Sequence, residues 1–277
     1  MCRMKFYNIK NIITAGIIIF FTACSSRFYL PVTSPNTQRM GGNAFFKLVA
    51  DKGWKQRDSL ALKEITGGNI PDFFKKFVPV YSHIKDSAGK THNAVFYVSP
   101  DYIVVGTNDD FARLPLTPMA GQKIADHFNC FLPTKKMVDL IYEQAAVKLE
   151  PVPMFAFRDS SVTMWQHHLI IEGQRKGRKG LIAGIKKDVV ISLKMMSLSK
   201  SDRVAIYGWH QLNGQPIQPL YTGHVNWWVD YSHGIRLVYR KITVNGRQMD
   251  FKDVLKDPVY HKLLSDEGII NFFKYND

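Results

Sequence analysis

The first two dozen residues limit what the rest of the chain can be. Arg3, Lys5 and Lys10 lead into an apolar run, IITAGIIIFF, over residues 12–21, which ends at Thr22-Ala23-Cys24. A helix of that length covers about half of the roughly 30 Å hydrocarbon core of a bilayer, too little for a comfortable span. A cationic start, a short apolar stretch and small residues at its end read instead as an export signal. The folding unit is therefore the remainder of the chain, and it must reach stability outside the cell.

A cysteine directly after a small residue at the end of such a run resembles the lipobox of bacterial lipoproteins, although Phe21 stands where leucine is usual. The resemblance implies cleavage before Cys24 and acylation of that cysteine. Residues 1–23 would then be a signal peptide, residues 24–42 a polar tether and residues 43–277 the globular domain, held at a membrane of the cell envelope by lipid. Of the three cysteines, Cys2 lies in the leader and Cys24 takes the lipid, so Cys130 has no partner. With no disulfide available, the fold must rest on its hydrophobic core. The formal charge is +14, and most of it remains once the leader is removed. It favours anionic surroundings such as wall or surface polysaccharide. Nucleic acid is not an expected partner, because no nucleic-acid-binding motif is present.

The apolar pattern changes period along the chain. Helical spacing over 43–77 predicts two short helices, and Thr117-Pro118 and Thr134 are placed as the starts of two more. Ser161 to Gln174 reads as a further helix, running into the basic, glycine-broken stretch EGQRKGRKG. After Gly180 the runs LIAGIKKDVVISL, RVAIYGWH and GIRLVYRKITVNG read as strands, and Asp253 to Leu264 as a closing amphipathic helix. The domain is thus helix-rich to about residue 175 and sheet-rich after. This mixture, without regular βαβ alternation, predicts an α+β fold with a mostly antiparallel sheet and helices on one face.

Chemistry-bearing residues gather in PIQPLYTGHVNWWVDYSHGIRLV, residues 216–238. Histidine exchanges protons near neutral pH and a carboxylate can orient it, so His224, Asp230 and His233 form a candidate catalytic group. Lys187 and Asp188, a charged pair at a strand end, are expected to assist. Arg236 is a candidate to hold an anionic substrate group, and Trp227, Trp228 and Gln218 to stack on or bind a sugar. His210, His224 and His233 could also supply three ligands to zinc, though their spacing matches no zinc signature. If residues 227–238 were extended, alternation would put Asp230 and Ser232 on one face and His233 on the other. Cys130 reads as a core residue.

Two resemblances attach to this region. YSHGIRL is similar to the S-H-G-C-x-R motif of L,D-transpeptidases, wall enzymes whose nucleophile is the cysteine. Ser232, His233, Gly234 and Arg236 match, but Ile235 comes directly after Gly234 and the cysteine is missing. More broadly, RLPLTP, LPTKKMVDLIY, KKDVV, YGWH, PIQPLYTGH and VDYSHGIRLV resemble a set of exported bacterial proteins. That likeness implies export and a shared fold, not an activity. Two functions are expected from these observations: an envelope-anchored hydrolase or transferase of peptidoglycan or another surface glycan, and a non-catalytic glycan-binding lipoprotein.

Overall fold

A computed structural model describes residues 28–32 and 39–276 of the chain. The expected signal peptide and the expected lipid site Cys24 lie outside the described residues.

The fold is α+β and mostly antiparallel, but its strands form two principal sheets rather than one. The larger has seven strands. Phe28–Tyr29, Lys76–Lys85, Thr91–Val98, Val238–Tyr239 and Cys130–Phe131 lie in that spatial order, and the hairpin of Lys241–Val244 and Arg247–Asp250 joins at Thr91–Val98. The smaller sheet runs Pro216–Val225, Arg203–His210, Lys187–Val189, His233–Gly234, and only its last pair is parallel. The expected helix-rich and sheet-rich parts are interleaved. The long ladder pairing Val78 to Lys85 with Val98 to Thr91 belongs to the first part, while Val238 from the second part pairs with both Val98 and Phe131. One continuous core takes residues from both, among them Phe45, Phe96, Ile124, Ile206 and Leu237, all fully buried.

Local chemistry explains most element boundaries. The Thr117 and Thr134 hydroxyls accept from Ala120 N and Met137 N, each at 3.2 Å, capping helices Pro118–His127 and Lys135–Gln144. Ser160 caps the helix Ser161–Arg175 in the same way. The closing helix is split into Phe251–Lys256 and His261–Leu264, because Pro258 cannot continue a helix and Asp257 Oδ1 accepts the freed amides of Val259 and Tyr260. Strand Lys76–Lys85, which contains Pro79, falls outside the sequence expectation. Proline lacks a ladder donor, and among the described residues the pairing on that side, with Phe28–Tyr29, reaches only Lys76 and Phe77, so no described ladder bond is lost at Pro79.

The tether expected over 24–42 is not free in its described part. Phe28–Tyr29 extends the larger sheet, the Phe28 ring stacks on Tyr239 at 4.0 Å and Leu30 is buried. Covering a sheet edge with apolar side chains is favoured over leaving both in water. The helix Gly42–Leu48 then starts inside the stretch expected to be tether.

Candidate functional site

The smaller sheet and the return of the chain from Val225 to His233 build one polar group. His233 is in register with Lys187 across the parallel pair, so the two side chains stand on the same face, while Asp188, next along the strand, faces the other way. Gly234 allows this close approach, since a Cβ there would lie 2.5 Å from the Tyr102 ring and 2.7 Å from Lys186 Cβ. On the neighbouring strand the register shifts between Ile206 and Gly208, and Trp209 takes a left-handed φ of 57°. That conformation is rare for a bulky residue, and it sets the indole 5.2 Å from Lys187 Nζ. A local register irregularity that re-aims a side chain beside a polar group is a recurrent device near functional sites.

The stretch expected to be extended instead turns at Asp230. Ser232 N and Oγ both donate to Asp230 Oδ1, at 2.8 and 2.6 Å, and His233 N donates to Asp230 O at 3.1 Å. An Asx turn of this kind brings the i+3 side chain back over the aspartate. Asp230 and His233 therefore meet, correcting the expectation that they point to opposite faces. His233 Nδ1 lies 3.2 Å from Asp230 Oδ1 and 3.0 Å from the Asp230 backbone nitrogen. Each tautomer thus has a partner: a proton on Nδ1 goes to the carboxylate, and a bare Nδ1 accepts the amide. Nε2 is buried without a hydrogen-bond partner among the described residues. The second imidazole is close by, with the His224 and His233 ring centroids 5.7 Å apart and Trp228 set edge-on to both at 4.8 and 5.6 Å. His224 Nδ1 likewise lacks a partner among them.

Arg158 completes the group, donating from Nη2 to Asp230 Oδ2 at 2.6 Å. Burial alone would raise the Asp230 pKa, but His233, Ser232 and Lys187 outweigh it and hold the carboxyl well below the usual range. Burial, then the neighbouring His233 and Lys187, depress His224 to about 4. Burial likewise lowers Lys187, with Asp230 opposing. At neutral pH the group therefore combines a fixed carboxylate, a neutral His224 and a desolvated amine that forms no ion pair among the described residues.

The other candidates are held elsewhere. Arg236 is fully buried: its Nη1 donates to Ser99 O at 2.9 Å, its Nη2 to Ile182 O at 2.7 Å, and it lies over the Tyr102 ring, so it is not available to hold a substrate. Asp188 accepts from Tyr102 OH at 2.9 Å on the opposite face from Lys187, and burial pushes its pKa up to about 6. Gln218 lies opposite Gly208 and donates to Pro219 O. His210 pairs at the Pro216 end of the hairpin while His224 pairs near the Val225 end, so the three imidazoles expected to hold zinc do not converge. Among the described residues no three His, Cys, Asp or Glu side chains are grouped to hold a metal ion. Trp227 is exposed beside the group and Trp228 is part of it. Cys130 is buried and its thiol pKa is raised by desolvation, as expected of a core residue.

Three members escaped the sequence reading. Arg158 lies in the Pro-rich crossover, 72 positions from its carboxylate partner. Trp209 reads as a core tryptophan, and only its backbone angle reveals its placement against Lys187. Ser232 belongs to no spacing rule except the Asx turn, and the D-x-S-H order is the one local signal that could have suggested it. Two further buried sets adjoin the group: Arg113 donates to Asp101 from Nε and Nη2 and bonds Glu172 at 2.8 Å, and Lys186, next to Lys187, donates to Tyr231 O and meets His167 Nδ1 at 3.3 Å, while His167 Nε2 is buried without a partner among the described residues. Cavities of about 550 Å³ beside Leu193 and Met196, and about 360 Å³ beside Asp139 and His210, lie apart from the group. No family model, curated protein or solved structure matches the chain.

Proposed function

We propose that the protein is an envelope-anchored hydrolase or transferase acting on peptidoglycan or another surface glycan. In this reading His233 is the general base. It takes a proton through Nε2 from an attacking water or hydroxyl, and Asp230 stabilises the imidazolium that forms, as a buried carboxylate does in other acid–base pairs. The proton then passes to the leaving group. Neutral His224 faces the same space as a second donor or acceptor, and Lys187 offers an ammonium to an anionic part of the substrate. The observation that carries the reading is the convergence of two imidazoles, each with an unpartnered ring nitrogen, in front of a buried carboxylate.

A second reading, glycan binding without turnover, draws on the exposure of Trp227 and Tyr221, 47% and 45%, beside the same group. One experiment separates the two: incubation of the protein with purified sacculi, followed by mass spectrometry of soluble products and measurement of bound protein. Products from the wild-type protein that vanish in a folded His233→Gln variant support the enzyme. An absence of products, with binding that is lost in Trp227→Ala, supports the binding protein and sinks the enzyme.

A further inference from the structure

The helix Ser161–Arg175 has an apolar side that no described residue covers. Val162, Leu169 and Ile170 fall at i, i+7 and i+8, on one face, and each is at least 42% exposed. The segment entering the helix adds Phe155 and Phe157, 91% and 82% exposed. These phenylalanines are fixed to the helix start: Ser160 N donates to Phe157 O at 3.0 Å and Thr163 Oγ1 to Ala156 O at 3.4 Å. Phe157 holds its position at a left-handed φ of 46°, an unfavourable conformation for an aromatic residue exposed to water. From Val162 to Ile170 the stripe runs about 12 Å along the helix axis. Exposed apolar side chains grouped in this way, with exposed Gln166 among them, mark an interaction surface.

The other end of the helix identifies the partner. The chain leaves it through Arg175, Lys176, Gly177, Arg178 and Lys179, of which Lys176, Arg178 and Lys179 are exposed. Arg175 is tied to Glu172, and Arg178 donates to the carbonyls of Gln174 and Arg175, which holds the cationic turn compact at the helix end. An apolar helix face with aromatic tips and a cluster of cations beside it is complementary to one kind of surface. That surface has an apolar layer under an anionic rim.

We propose that this face docks on an anionic lipid bilayer, with Phe155, Phe157, Val162, Leu169 and Ile170 entering the acyl boundary and Lys176, Arg178 and Lys179 meeting headgroup phosphates. Docking would also orient the polar group described above, because Arg158, the residue after Phe157, holds Asp230. The proposal does not depend on the group's being catalytic.

The test is hydroxyl-radical footprinting of the full-length chain, reconstituted in vesicles containing phosphatidylglycerol and in vesicles of phosphatidylcholine alone. Oxidation of Phe155 and Phe157 is expected to be about fivefold slower in the anionic vesicles, while exposed Tyr81 and Leu212, on other elements, change by less than about twofold. In a Lys176→Gln, Lys179→Gln variant the anionic vesicles should no longer protect the two phenylalanines. Equal oxidation in both vesicle types overturns the proposal. So does protection that survives the charge variant, or protection equally strong in detergent without lipid, which would mean that another part of the chain or a second copy covers the face.

Discussion

Two aspartate–histidine pairs flank the smaller sheet, and only one of them leaves a ring nitrogen buried without a partner among the described residues. At the Pro216 end, His210 Nε2 lies 3.0 Å from Asp139 Oδ1, the same oxygen accepts from Tyr207 OH at 2.7 Å, and the imidazole stacks on Tyr142 at 4.5 Å. At the other end, His233 meets Asp230 through Nδ1 but leaves Nε2 without a partner among the described residues, its ring 5.7 Å from that of His224. The residue types are identical. The difference is whether a ring nitrogen is left without a partner: His210 Nε2 meets Asp139, while His233 Nε2 is buried with no hydrogen-bond partner among the described residues. A pair with its nitrogens partnered contributes to folding, whereas a buried ring nitrogen without a partner is costly and calls for an explanation, such as a functional role.

The largest effect should separate the pairs by activity. His233→Gln should reduce product release from sacculi by about 100-fold or more, within the range for loss of a positioned acid–base group. His210→Gln should leave it within about twofold, and equal losses in the two variants would erase the distinction. Next in size is a stability effect at the buried Arg113–Asp101 pair. Arg113→Met leaves Asp101 buried with its main cation removed and should lower the unfolding free energy by about 3–5 kcal/mol in urea titrations. A loss under about 1 kcal/mol would show that the carboxylate finds another partner or water.

The third effect concerns pH. The folded pKa of His224 is depressed to about 4 from 6.5, so between those values the unfolded chain binds more protons than the folded one. Stability contributed by keeping His224 neutral is therefore present above pH 6.5 and is lost as pH falls towards 4. The wild-type melting temperature should drop further than that of His224→Gln between pH 7 and 4, and parallel curves would contradict the depressed pKa. The smallest effect returns to the His210 pair: His210→Gln should cost about 1 kcal/mol of stability, the usual value of one hydrogen bond. A much larger loss would mean that the Asp139 pair bears more of the fold than its part-exposed carboxylate suggests.

Much of the local architecture is legible without coordinates. Thr117-Pro118, Thr134 and Ser160 act as helix starts because a hydroxyl one residue before the first turn satisfies an amide that the helix cannot, and this depends on neighbours within four positions. The strand pattern after Gly180 and the gathering of His224, Asp230 and His233 are local in the same sense. Pro79 hid a strand, because whether a missing donor matters depends on which neighbour the strand has, and that neighbour lies some fifty residues earlier in the chain.

The sequence by itself determined the α+β class and most helix starts, and it set His224, Asp230 and His233 in one stretch, because each depends on spacing along the chain. Tertiary structure alone decided which members meet. It turned Asp230 back onto His233, brought Arg158 to the carboxylate from 72 positions away, bonded Arg236 to the carbonyls of Ser99 and Ile182, and left His210 at the far end of its hairpin. The physical reason is that register and turn geometry, rather than residue type, fix the distance between side chains far apart in sequence, and proton transfer depends on that distance.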